Sequence, residues 1–296
     1  MATDIPTIKL ESGALIPTLG YGTGTAWFKK PGDQGIDQAT VGAVTFAIKS
    51  GYRHLDGAEA YGTETELGIA IKESGVKREE LFVTSKVEKG IDDIQKAIDA
   101  TLERLQLDYV DFYEAYLIHS PFFARNDNDL QSKWAEMEKA QQAGKARAIG
   151  VSNFLQPHLE AILKTARIKP SVNQIEYHPY LQHGDLLTMD KRLGIVVEGY
   201  GPLTPLTRAK GGPVDELVAR LARKYSVSEG SVLLRWSVDR GVVTITTSGK
   251  EERIKEFLDV LKFKLTEDEV AEISKLGEQK HYRAWWKSKF AADDRS

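Results

Sequence analysis

Cysteine is absent from this 296-residue chain. Its absence excludes disulfides, thiolate metal ligation and cysteine nucleophiles, and suits a reducing compartment, so a cytoplasmic protein is expected. Long apolar runs are lacking as well. No stretch approaches the roughly 18 apolar residues of a membrane span, so no membrane partner is expected. The amino terminus, MATDIPTIKLESG, lacks a basic start followed by an apolar core, and the final DDRS carries no lipidation or targeting motif. An excess of one charge is also missing: 40 basic residues stand against 43 acidic ones, a formal net charge of −3. That balance gives no reason to expect nucleic acid as a partner. No metal ligand set is read from the sequence.

What is present is enough apolar residue, 41% of the chain, for a large core, and an alternating pattern. Residues 5–17 alternate around Ser12-Gly13 and read as a small hairpin capping one end of the fold. Strands are then expected at 54–55, 81–86, 110–118, 146–151, 172–175, 195–200 and 242–246, after a short one before the glycine-rich run at 19–25. Helices are expected at 39–49, 64–74, 91–105, 129–143, 156–167, 181–193, 214–224, 228–240 and 251–258. Eight strand-helix units emerge, with one extra helix before the eighth strand. Eight such units in about 300 residues point to an α/β chain folded as a closed (β/α)8 TIM barrel, one domain over 1–296; an open doubly wound sheet is the other reading. Thr266-Glu-Asp-Glu269 starts one more helix, at 266–276, by a capping box. The aromatic and charged tail from Gly277 lies outside the repeat and must cover a barrel face.

The chain is organised around residues 51–68, GYRHLDGAEAYGTETELG. Asp56 and Tyr61 fall just past the carboxyl end of a short strand, where strand-helix units gather their ligands. A surface loop with a packing tyrosine accounts for this stretch equally well. Lys86 closes LFVTSK and His119 closes FYEAYLIH, at the carboxyl ends of the next two strands. Singly, they read as a solvated lysine and a structural histidine. Four ionisable side chains at the ends of three successive strands point to a catalytic mouth.

The run GYRHLDGA at 51–58, followed by Tyr61, Glu64 and Leu67-Gly68, resembles a signature of the aldo-keto reductase family at every defined position. KARAIGVSNF at 145–154 resembles a second signature, and similarity runs from about Ile8 to Leu276. The resemblance implies NADPH-dependent reduction of a small carbonyl compound, with Asp56, Tyr61, Lys86 and His119 as the catalytic tetrad. Tyr61 would donate the proton, made more acidic by Lys86; Asp56 would hold Lys86 charged, and His119 would orient the carbonyl. Ser152, Asn153 and Gln174 would hold the nicotinamide carboxamide, Tyr200 would stack on the ring, and Gly22 and Thr23 would line the same side. Gly201 stands where many relatives carry serine, close to Leu203. In TITTSGKEER at 244–253, Ser248 and Arg253 keep their places, Thr247 replaces the family's lysine, and Lys250 can supply the lost charge beside the ribose phosphate. Glu256 would face the adenine.

Trp27, Phe28, Phe122, Tyr282, Trp285 and Trp286, with Phe123 and His281, are the aromatic candidates for the substrate pocket, which suits apolar carbonyl compounds. Ser120 replaces the family's usual tryptophan. The Thr-Thr-Ser motif and the tail are most similar to a yeast and fungal branch that reduces α-keto amides, ketolactones and conjugated diketones. Two other readings stay open: a nucleotide-binding regulatory subunit of the same fold, and unrelated chemistry with Lys86 as a Schiff-base lysine. A monomer is expected.

Overall fold

The computed structural model describes residues 5–30, 32, 33, 35–107 and 115–296. Two short strands, β1 (Thr7–Lys9) and β2 (Leu15–Pro17), pair antiparallel as the expected hairpin. Eight strands follow: β3 (Leu19–Gly22), β4 (His54–Asp56), β5 (Phe82–Val87), β6 (Ala115–Ile118), β7 (Ala148–Ser152), β8 (Val172–Glu176), β9 (Val196–Tyr200) and β10 (Val243–Thr246). They pair parallel in sequence order, and β10 closes on β3. The barrel is therefore closed, and the open sheet is excluded. The expected strand at 110–118 is seen from Ala115; residues 108–114 lie outside the described residues.

Helices α1 (Gln38–Ser50), α2 (Glu64–Ser74), α3 (Ile94–Leu105), α4 (Asp127–Gln142), α5 (Gln156–Leu163) and α6 (Leu186–Leu193) connect successive strands. A short α7 (Thr204–Thr207) precedes α8 (Asp215–Tyr225) and α9 (Glu229–Asp239), and α10 (Glu251–Glu256) and α11 (Glu267–Gly277) follow the last strand. The Thr266 hydroxyl accepts from the Glu269 N–H at 3.2 Å and the Glu269 carboxylate accepts from the Thr266 N–H at 2.8 Å, so α11 starts on the predicted capping box.

The helix expected at 181–193 begins five residues late. His183 and Gly184 adopt positive φ (59° and 50°), and the His183 ring contacts the Glu176 carbonyl at 2.5 Å, which holds this segment out of the helix. The helix expected at 251–258 turns 3-10 from Phe257, and the one expected at 156–167 stops at Leu163.

The two ends of the barrel differ in polarity. Leu10 and Ile16 of the hairpin pack with Phe82, Leu117, Val172 and Val243 and seal the amino-terminal end with apolar side chains. Each such fully buried side chain contributes about 1.5–3 kcal/mol. Toward the carboxyl ends the interior turns polar: buried His54 lies 3.0 Å from Glu198 and 3.1 Å from the Thr84 hydroxyl. Ligands are therefore expected at the carboxyl end alone.

Candidate active site

The end of β4 carries Asp56, the end of β5 Lys86 and the loop after β6 His119. Tyr61 ends a 3-10 turn, Glu59–Tyr61, that begins three residues past β4. The buried Lys86 ammonium donates to Asp56 Oδ2 at 2.7 Å, to the Gly57 carbonyl at 2.8 Å and to Tyr61 Oη at 3.3 Å. The His119 ring meets Tyr61 edge-on, centroids 5.6 Å apart. The four residues expected to converge do so, and all four line or underlie one cavity of about 1270 Å³.

The electrostatics of this group differ from the expectation in one respect. Burial penalises the Lys86 charge, but Asp56 and the neighbouring acidic groups outweigh it, and the ammonium stays protonated far above its usual range. Burial also acts on Tyr61 and pushes its phenol up to about 12, the Lys86 charge only partly opposing it. The phenol is therefore not made more acidic in the resting site. It is kept fully protonated, beside a cation that stabilises the phenolate left when the proton goes.

A second layer steadies the tetrad. The Gln174 amide donates to Asp56 Oδ2 at 2.8 Å and to Glu198 Oε2 at 2.7 Å. Gln174 lines the cavity, where its amide oxygen can accept from a ligand amide. Asn153 sits at positive φ (61°), donates to the His119 carbonyl at 2.9 Å and to Ser152 Oγ at 3.0 Å, and accepts from the Tyr200 hydroxyl at 2.7 Å. Ser152 donates to the Gln174 carbonyl at 2.8 Å. The three residues expected on the carboxamide, together with Tyr200, thus form one connected cluster on the cavity wall.

The cavity continues past Gly201, Leu203 and Arg208 to Thr246 and Thr247. Thr246 Oγ1 is buried there without a hydrogen-bond partner among the described residues, an orphan that a ligand would satisfy. Beyond it, Ser248 accepts from the Lys250 N–H at 3.1 Å, and Lys250 and Arg253 stand exposed with no ion pair among the described residues. Glu256 is the last residue of α10. A cavity with amide-bearing side chains on one wall that runs to Thr247, just before the loop carrying Lys250 and Arg253, suits a dinucleotide phosphate. Thr23 departs from the expectation: its hydroxyl donates to the Asp56 carbonyl at 3.1 Å from a fully buried position, so it braces Asp56 from behind.

The aromatic candidates divide. Phe28, Trp285 and Trp286 line the cavity, Phe28 lies 5.7 Å from the Tyr61 ring, and Phe122 backs Trp286 at 5.1 Å. Trp27 turns the other way, donates to Tyr21 Oη at 3.1 Å and covers Gly249, on the cofactor side. Tyr282 hydrogen-bonds through its backbone to Tyr180 and lies outside the cavity, and Phe123 packs into the core. The tail is anchored by the buried Glu176 carboxylate, which accepts from the Ala284 and Trp285 N–H groups at 2.7 and 3.1 Å. Sequence reasoning missed Glu88, whose carboxylate lines the mouth 2.9 Å from His119 Nδ1, and Arg208, stacked 4.7 Å over the Trp285 ring.

Among the described residues, no cluster of histidine and acidic side chains suits a metal, and no helix is long and apolar enough to cross a membrane. Comparison with known proteins gives one answer. The sequence profile of the aldo/keto reductase family matches residues 18–278. The NAD/NADP-dependent indole-3-acetaldehyde reductase of Schizosaccharomyces pombe is 44% identical over 278 residues, covering 93% of this chain and 96% of the relative. The NADPH-dependent alpha-keto amide reductase of Saccharomyces cerevisiae is 38% identical, covering 94% and 93%. Among solved structures, a Bombyx mori aldo-keto reductase in complex with NADP superposes with a TM-score of 0.82 at 36% identity, over 93% of this chain and 94% of that one. The chain belongs to the aldo/keto reductase family.

Proposed function

We propose that this protein reduces aldehydes and ketones to alcohols with NADPH. The observation that carries this reading is the Lys86 ammonium, fixed between Asp56 at 2.7 Å and the Tyr61 phenol at 3.3 Å at the bottom of an aromatic mouth. Bound NADPH supplies the hydride to the carbonyl carbon. Tyr61 gives its proton to the carbonyl oxygen, Lys86 stabilises the resulting phenolate, and Asp56 keeps Lys86 charged. His119, edge-on to the phenol, orients the carbonyl. Ser152, Asn153 and Gln174 hold the carboxamide, with Tyr200 against the ring, while Ser248, Lys250 and Arg253 bind the ribose phosphate.

The aromatic lining by Phe28 and Trp286 favours apolar carbonyl compounds, and similarity to the alpha-keto amide reductase favours α-keto esters, amides, ketolactones and diketones within that class. The reductase names of both relatives weigh against a purely regulatory subunit. We read the chain further as one barrel domain acting as a cytoplasmic monomer, which the lack of cysteine suits. The test is steady-state oxidation of NADPH and NADH against aldehydes, α-keto esters, ketolactones, diketones and aldoses. Turnover with NADPH preferred is expected; tight nucleotide binding without turnover would turn the reading to the regulatory subunit.

A further inference from the structure

Glu88 stands two residues past Lys86, where the chain leaves β5, and its position is built rather than accidental. One oxygen of the Glu59 carboxylate accepts from both the Glu88 and the Gly90 backbone N–H at 3.0 Å. Glu59 also opens the 3-10 turn that ends on Tyr61. The same side chain therefore latches the loop bearing Glu88 to the turn bearing the proton donor. From this loop the Glu88 carboxylate reaches within 2.9 Å of His119 Nδ1, close to the ring nitrogen though out of line for a straight hydrogen bond, while 39% of its side chain stays exposed to the cavity.

The pair carries a net charge. The histidine nitrogen beside it holds the Glu88 carboxyl below its usual range against the opposing effect of burial, and burial lowers the affinity of His119 for a proton. Near neutral pH the two together are singly negative. Of the charges around them, Asp56 and Lys86 neutralise each other and Lys29 is paired with Glu66. Lys30, Lys89 and Arg208 also line the cavity, Arg208 stacked on Trp285, and Lys89 acts on the Glu88 carboxylate. None of these cations is seen paired with Glu88 among the described residues, whereas the Glu88 carboxylate is fixed beside His119. A substituent on a carbonyl held between Tyr61 and His119 thus meets this carboxylate beside aromatic walls.

We propose that Glu88 is a specificity residue of this site, which admits uncharged carbonyl compounds and rejects those bearing a carboxylate next to the carbonyl, the α-keto acids. The proposal rests on the carbonyl-reductase reading and narrows its substrate class. A second negative charge brought to about 5 Å at an effective dielectric constant of about 20 is disfavoured by on the order of a hundredfold. An α-keto ester or amide of the same shape escapes that penalty.

The experiment compares methyl benzoylformate with benzoylformate, with NADPH at pH 7.5, in the wild type and in Glu88→Gln and Glu88→Asp. The ester-to-acid ratio of kcat/KM should be large in the wild type, fall at least tenfold in Glu88→Gln through improved use of the acid, and largely return in Glu88→Asp. Structural damage would lower both substrates alike and leave the ratio in place. Binding of the two compounds to the protein–NADP⁺ complex, read by tryptophan fluorescence, gives the same ratio without turnover. Absent turnover therefore counts against the reductase reading alone. An equal ratio in wild type and Glu88→Gln, in kinetics or in binding, overturns the assignment of Glu88.

Discussion

A β-carbon on Gly201 would lie 2.5 Å from the Trp285 ring. Gly201 has φ of 69°, so a side chain there would be strained by its backbone as well as by the tail. The tail lies over Tyr200, with the Trp285 ring 5.3 Å away and edge-on, because residue 201 carries no side chain. Gly201→Ser should lower the melting temperature by several degrees and release the tail, seen as a change in tryptophan fluorescence. In the double variant with Trp285→Ala the clash is gone, so the two losses should be less than additive. Full additivity in thermal unfolding would mean that the two positions do not communicate.

The Tyr61 phenol, pushed up to about 12 by burial, gives opposite pH behaviour in the two directions of the reaction. Carbonyl reduction needs the protonated phenol and should stay level from pH 7 to 10. Alcohol oxidation needs the phenolate, whose fraction rises tenfold per unit below the pKa, so its kcat/KM should climb across that range. A fall in reduction with a midpoint between pH 7 and 9 would place the phenol far below the value that burial sets. Tyr61→Phe should lose at least about a thousandfold in kcat, within the range of a lost general acid, with NADPH affinity nearly unchanged.

The barrel and a shared mouth were legible because Asp56, Lys86 and His119 each end a strand-like run, and a strand end in this architecture faces the mouth; the tetrad itself was legible only through the family resemblance. The pocket wall was less legible, since the direction of a loop residue is set by its partners. Trp27 and Phe28 are adjacent, yet Tyr21 Oη takes the indole N–H of one and leaves the other to the cavity. Glu88 carries no sequence signal of its own; the Glu59 latch, a contact across 29 residues, holds its loop at the mouth. The phenol pKa is hidden for a related reason, because a sequence shows a nearby lysine but not the burial that raises it.

Thr247 stands where the family's lysine is expected, and the proposed function leaves the ribose phosphate to Ser248, Lys250 and Arg253. Loss of one charged hydrogen bond is worth about 1.5–3 kcal/mol. Arg253→Ala should therefore weaken NADPH by about 10- to 100-fold and leave NADH nearly unchanged. Thr247→Lys should tighten NADPH selectively. Isothermal titration with both nucleotides checks each, and an equal loss for NADPH and NADH would place phosphate recognition elsewhere.

Two helical glycines should respond to alanine with opposite signs. On Gly68 of α2, a β-carbon would lie 2.3 Å from the Leu105 carbonyl oxygen at the end of α3, a backbone contact that yields only if the helices separate. Overpacking of this kind costs about 1–3 kcal/mol, more than the roughly 1 kcal/mol that alanine adds in helix propensity. On Gly42 of α1, nothing lies within 4 Å of the added carbon. Propensity alone acts there, and Gly42→Ala should raise stability by up to about 1 kcal/mol. Denaturant unfolding of both variants checks the pair: Gly68→Ala below wild type and Gly42→Ala above it is the expected order. If Gly68→Ala were as stable as wild type, the close approach of α2 to α3 would not be what holds residue 68 to glycine.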